Sequence, residues 1–154
     1  MEINESKLII SEITLRDLRI VGEISETRRS TIRWLALALG IISPGESRLS
    51  AISVLDAILY YQFQEKKDPE VAELSSYINE KWSPINEKTL RYHLLQMKRA
   101  GIVGNSKGKY FLHKPDNGDM NDIGQWVNSY IDSRVLPIKN KVSLVLGGLK
   151  ARQL

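Results

Sequence analysis

Ile85-Asn-Glu-Lys-Thr-Leu-Arg-Tyr-His-Leu-Leu-Gln-Met-Lys-Arg-Ala-Gly-Ile-Val103, followed by Gly104-Asn-Ser-Lys-Gly-Lys-Tyr-Phe-Leu-His113, is the most informative stretch of the chain. Leu90, Leu94 and Met97 recur at helical spacing and mark one buried stripe. Asn86 stands where a helix N-cap belongs, and Gly101 where a C′ glycine ends a helix. The residues after it read as two short strands, Ile102-Val-Gly104 and Lys109-Tyr-Phe-Leu-His113, around a glycine-containing tip. A helix that runs straight into a hairpin is therefore expected.

The segments upstream supply the rest of a compact core. Residues 50–65 are apolar around almost the whole helical circumference, with Asp56 the only charge before Glu65, as expected of a central helix. Residues 70–81 repeat an amphipathic pattern through Val71, Leu74 and Ile78, with Trp82 one turn later. Asp68 is the expected N-cap of that helix, with Pro69 at its first position. Residues 27–42 place Ile32, Leu35, Leu39 and Ile42 on one stripe, and this helix is expected to pack on helix 50–65. Arg28, Arg29 and Arg33 near its start are expected to pair with Glu23 and Glu26 on a solvated face. Residues 1–25 lean towards helix, with Thr14 and Asp17 resembling a capping box, although short strands fit as well.

The order of helix 50–65, helix 70–81, helix 86–100 and hairpin 102–113 resembles the winged helix-turn-helix of transcriptional regulators, in the broad MarR, ArsR and PadR-like group. The likeness is strongest over 85–103, where Thr89, Arg91-Tyr-His-Leu94 and Ala100-Gly-Ile-Val103 follow the pattern of the recognition helix and its entry into the wing. Residues 79–84 form a longer turn than is usual there. The resemblance covers residues 49–113 and implies a winged helix over 49–115; with the helical patterns on either side, the expected fold is mainly α with a small β-hairpin wing, N-terminal helices over 1–48 and a long C-terminal helix over 116–154. The resemblance further implies a double-stranded DNA-binding protein acting as a transcriptional regulator. A winged helix serving as a protein-interaction subunit of a replication or transcription assembly is the alternative.

Charge supports the first reading. The 154 residues carry 22 Lys and Arg against 18 Asp and Glu, a net +4. Residues 85–115 alone hold seven basic side chains and one acid, Glu87, which is the electrostatic footprint of a polyanion binder. An α-helix fits the major groove of B-DNA, and Asn86, Glu87, Lys88, Thr89, Arg91, Tyr92 and Gln96 are the candidates to face it. Lys107 and Lys109 flank the hairpin tip, where a wing would reach the backbone or the minor groove. A single-strand or RNA binder would want aromatic residues interleaved with basic ones, and only Tyr92 and Tyr110 would serve.

Past a polar linker at 116–121, Ile131, Val135, Ile138, Val142, Val145 and Leu149 are spaced 4, 3, 4, 3, 4. That is a heptad seam, interrupted by Pro137, on one kinked helix or two helices end to end. Self-association through this seam into a homodimer is the favoured expectation, with docking on residues 1–48 the competing one. The last 18 residues add Lys139, Lys141, Lys150 and Arg152 with no acid.

Other chemistry finds little support. With no cysteine, thiol catalysis, thiolate metal sites and disulfides are excluded, and His93 and His113 are the only histidines. His93 beside the core stripe is expected to be a packing or hydrogen-bonded residue, and Tyr60, Tyr61 and Phe63 to be core. No glycine-rich phosphate loop appears, so no catalytic residue, metal or cofactor is expected. The longest uncharged apolar run, Trp34 to Ile42, is too short to span a bilayer. The opening Met-Glu-Ile-Asn-Glu has no basic signal-peptide character, so a cytoplasmic protein without membrane contact is expected.

Overall fold

The computed structural model describes residues 2–115 and 118–153, in two compact units, residues 1–112 and 113–154. The expected linker at 116–121 falls partly outside the described residues. The architecture is mainly helical, with a small antiparallel hairpin and a long C-terminal helix. No helix of the described residues is long and apolar enough to cross a membrane.

The first unit holds α1 (Arg28–Ala38), α2 (Ser50–Tyr60), α3 (Val71–Lys81), α4 (Glu87–Arg99), β1 (Val103–Ser106) and β2 (Lys109–Leu112). Helix α2 is its centre: every residue from Ala51 to Ile58 is buried, and α1, α3, α4 and β2 all pack on it. Leu74 and Ile78 of α3 and Leu90, Leu94 and Met97 of α4 complete the core, with Ile102, Val103 and Leu112 from the hairpin. Each such aliphatic side chain contributes on the order of 1.5–3 kcal/mol by leaving water.

Asp56, the lone charge of α2, is 2% exposed and sits among three donors. Arg28 Nε lies 2.6 Å from Oδ1, and Tyr77 Oη and Trp82 Nε1 each lie 2.9 Å from Oδ2. One carboxylate thus joins α1, α2, α3 and the chain leaving α3.

Helix α2 continues through a π-turn at Tyr61–Glu65 and stops at Lys66, which is left-handed at φ 57°. Within that turn Gln62 is buried and fully used: Nε2 donates to Lys67 O and Asp68 Oδ1, and Oε1 accepts from Leu112 N. The hairpin is thereby tied to the end of α2. A third extended segment lies along it, because Tyr110 N donates to Pro69 O at 2.8 Å and Glu70 bridges Lys109. Strands β1 and β2 pair in the register Val103↔Leu112 to Ser106↔Lys109. The two tip residues Lys107 and Gly108 both have positive φ, as a two-residue primed turn requires.

Several expectations are corrected. Residues 2–27 contain no α-helix, only 3₁₀ turns at Glu5–Leu8 and Gly22–Ser25, so the 1–48 extension contributes one helix rather than several. Thr14 and Asp17 cap nothing. Instead Arg16 N donates to Ala38 O, and Arg16 Nη1 donates to Leu37 O and Ile42 O, so this segment satisfies carbonyls at the C-terminal end of α1. Helix α1 starts at a Thr27–Ser30 reciprocal cap and ends at Ala38, with Leu39–Ile42 turning through Gly40.

Asp68 and Pro69 do not cap α3. Asp68 is engaged by Gln62, Pro69 joins the hairpin, and Glu70 with Glu73 forms the capping box. The arginines near the start of α1 ignore Glu23 and Glu26 for partners farther along the chain. Arg28 takes Asp56, Arg33 takes Glu46 O, and Arg29 donates to Lys81 O with its guanidinium 4.1 Å from the Trp82 ring centroid. Tyr60, Tyr61 and Phe63 are half-buried rather than core, and Tyr60 stacks on Tyr77.

The second unit is built on α5 (Ile123–Gln153), one continuous helix through Pro137 rather than two. At about 1.5 Å per residue it is roughly 46 Å long. Near its start Trp126 stacks on Tyr130, whose ring also meets His113 edge-on, and His113 Nε2 pairs with Ser129 Oγ at 2.9 Å.

Candidate nucleic-acid interface

Helix α4 begins at Asn86, whose Oδ1 accepts from Thr89 N at 2.8 Å. That cap uses one lone pair of the carboxamide oxygen and leaves the amide NH₂ of Asn86 for another partner. Glu87 in the first turn and Lys98 and Arg99 in the last complement the helix dipole. The helix ends in a Schellman motif: Gly101 has φ 76°, its N–H donates to Lys98 O, and Ile102 N–H donates to Met97 O. The hairpin follows at once, so the α4 stripe and the strands share one core.

Opposite the buried stripe, Lys88, Tyr92, Leu95 and Arg99 form an exposed ridge at spacing 4, 3, 4, with Arg91, Gln96 and Lys98 beside it. Tyr92 is 56% and Leu95 45% exposed, so the centre of this basic ridge is apolar. Arg91 Nη2 lies 3.1 Å from Glu87 Oε1, one helical turn back. Both side chains are exposed, and such a pair is worth only about 0.3–0.5 kcal/mol, so it yields readily to a stronger anion. Lys107 and Lys109 are exposed at the hairpin tip.

His93 is half-buried, with Nε2 2.9 Å from Ser50 Oγ. Burial lowers its pKa; Glu46 raises it and Arg48 lowers it further, with burial dominant. The imidazole is therefore neutral near pH 7 and adds no charge to the ridge. Thr89 is likewise half-buried.

The structure adds a feature that the sequence did not disclose. The Lys88, Thr89, Tyr92 and Gln96 side of α4 is one wall of a groove of about 1330 Å³. Its other walls are Ile10–Glu12, Leu39–Ile41 and the Glu46–Ala51 region, including Arg48. Arg48, exposed and just ahead of α2, joins the basic residues around α4 from an unexpected part of the chain. Its sequence signal was weak: a lone arginine after the Ser43-Pro-Gly break.

The residues proposed for self-association lie along α5. Ile131 is half-buried, while Val135, Ile138, Val142, Val145 and Leu149 are exposed, Val142 by 59% and Val145 by 68%. Leu136, Leu144 and Leu146 are exposed as well, off the seam. Among the described residues no group of three or more His, Asp or Glu side chains is placed to hold a metal ion.

No family model, no curated protein and no solved structure matches the chain.

Proposed function

We propose that the protein binds double-stranded DNA as a winged helix-turn-helix transcriptional regulator, with α4 in the major groove and the β1–β2 tip on the backbone or in the minor groove. The observation that carries this reading is the exposed ridge of α4. Its Lys88, Arg91, Lys98 and Arg99 stand on a helix whose opposite face is anchored in the core and whose end leads directly into a lysine-tipped hairpin. The third segment at Pro69–Glu70 alongside β2 supports the same class, because it braces the hairpin from the side on which α3 begins. Arg91 reads guanine edges, Gln96 reads adenine, and the lysines hold phosphates. The exposed α5 seam joins two copies, which doubles the contact on a palindromic site. No cofactor takes part.

The test is a DNA titration at several salt concentrations, on random and on selected duplexes. Each phosphate contact steepens the log–log salt dependence by about 0.9, so several contacts give a slope of several units. A flat slope refutes the reading.

Tyr92 and Leu95, apolar and exposed in the middle of the ridge, favour a second reading in which the same face docks on a protein. Under it, DNA affinity is weak and non-specific, and Tyr92→Ala abolishes partner binding.

A further inference from the structure

We propose that residues 2–10 form a strap that closes into the groove beside α4 and competes with DNA for that side of the helix. The competition rests on the DNA-binding reading above; the closure does not.

Every residue from 2 to 10 is exposed, including Ile3, Leu8, Ile9 and, at 84%, Ile10. Four large aliphatic side chains on one short arm have an apolar destination close by. Ile10 already stands on the rim of the groove, whose lining includes Leu39, Ile41 and Ala100. The polar character matches too. The arm carries Glu2 and Glu5 against the single Lys7, and the α4 wall offers Lys88 and Arg99. The lining also holds Arg48, Glu12 and Glu46, a net +1 against the arm's −1, and its basic excess lies on the α4 and Arg48 walls, which is where the charge complementarity within the chain is found.

The arm is held just downstream, so it moves about a fixed point. Arg16 is bonded to three carbonyls of the α1 end, at 2.7 to 2.9 Å. Gly40, at φ 73°, lies so close under Thr14 that a Cβ there would come within 2.5 Å of Thr14 O. Only glycine admits this approach, and it pins the chain at Thr14, while residues 2–10 make no hydrogen bond to other described residues outside their own turn over Asn4–Leu8. Closure covers Gln96 and the groove side of Tyr92, and DNA binding to α4 then requires opening. Apparent affinity falls in proportion to the open fraction.

Because the chain has no cysteine, Gln96→Cys places a single thiol on the groove wall. Its labelling rate by a maleimide is compared in the full chain and in a chain lacking residues 2–9, which leaves Ile10 on the groove rim. That deletion removes no buried residue, so the fold is retained, which the thermal melt verifies. Closure makes labelling about threefold or more faster without the arm, and DNA binding by the deletion with native Gln96 tightens by a similar factor. Glu2→Gln with Glu5→Gln gives an intermediate result. Equal labelling rates overturn the strap, whatever the chain does with DNA. Faster labelling with no DNA binding by either chain keeps the closure and overturns the DNA reading together with the competition.

Discussion

Replacing Asp56 tests the packing that sets the helices around α4. Its carboxylate accepts from Arg28 Nε at 2.6 Å and from Tyr77 Oη and Trp82 Nε1 at 2.9 Å each. Asp56→Ala removes all three acceptors, but the donors do not suffer alike. The Arg28 side chain is about half exposed and turns to water at little cost. Tyr77 is partly buried and loses about 1 kcal/mol. Trp82 is buried, so its stranded N–H costs about 1–3 kcal/mol, and the small void adds about 1 kcal/mol. The expected loss is about 3–5 kcal/mol, a large part of the 5–15 kcal/mol typical of a domain. Asp56→Asn behaves differently. Its carboxamide oxygen can stay on Tyr77 and Trp82 while the NH₂ displaces only Arg28, so about 1–2 kcal/mol is lost. Urea unfolding followed by circular dichroism measures both. With a slope of about 1.5–2 kcal/mol/M, the alanine variant shifts the midpoint by roughly 2 M at unchanged slope. An alanine cost below about 1 kcal/mol, or an asparagine cost equal to it, refutes this division of the energy.

The other expectations concern the α4 ridge, the hairpin tip, pH and α5. Arg91→Ala lowers specific DNA affinity by about 1–3 kcal/mol and relaxes base preference, measured against a panel of single-base variants; an unchanged preference removes the base-reading role. Lys107→Asn with Lys109→Ala, asparagine being chosen because it tolerates the left-handed backbone at 107, weakens binding to all sequences alike and flattens the salt slope by about one unit per lost phosphate contact. Burial, and then the bond to Asp56, push the Tyr77 pKa up to about 12. A raised phenol contributes stability that is present below the unfolded value near 10 and is lost as pH rises through 12, so urea midpoints fall more steeply over that window in the wild type than in Tyr77→Phe. Val142→Asp with Val145→Asp makes the chain monomeric in sedimentation. In the wild type, added salt strengthens self-association, because Lys139 and Lys141 flank the seam in both copies. A wild-type chain that is monomeric at about 50 µM sinks the dimer.

The parts of the fold legible in the sequence are those fixed by short-range rules. The α4 stripe, its Asn86 cap and the Gly101 stop are set by periodicity and by backbone conformations that few residues adopt. The all-round apolar character of residues 50–58 likewise announces a central helix. What failed was decided by partners distant in sequence. Asp68 is a good N-cap on local grounds, but its carboxylate is engaged by Gln62 and Pro69 is drawn to Tyr110, so the helix starts at Val71 with Glu70 as its cap. The arginines of α1 sit within reach of Glu23 and Glu26 by spacing, yet a buried carboxylate, two carbonyls and a tryptophan face hold them. Residues 1–25 offered a few periodic apolar positions, but Ile20 and Val21 stay in water, and the segment is held by its backbone and by Arg16.

The candidate site divides along the same line. A helix face can be read one residue at a time, so the exposed positions of α4 follow as soon as the buried stripe is known. Even there, the use of Asn86 as a cap and the partial burial of Thr89 are facts of geometry, because a residue type that suits base contact also suits the start of a helix. The groove is a different kind of object. It exists only where residues 10–12, the turn after α1, the start of α2 and one side of α4 converge, and no spacing in the chain encodes that convergence. Its nearest trace in the sequence is Gly40, which reads as a turn glycine but is needed for the contact with Thr14. A larger residue there would loosen the hold on the arm while leaving every periodic pattern in α4 untouched. Control of this helix face is therefore separable from the face itself, and substitutions around Gly40 and Arg16 act on access to α4 without touching a residue that would meet DNA.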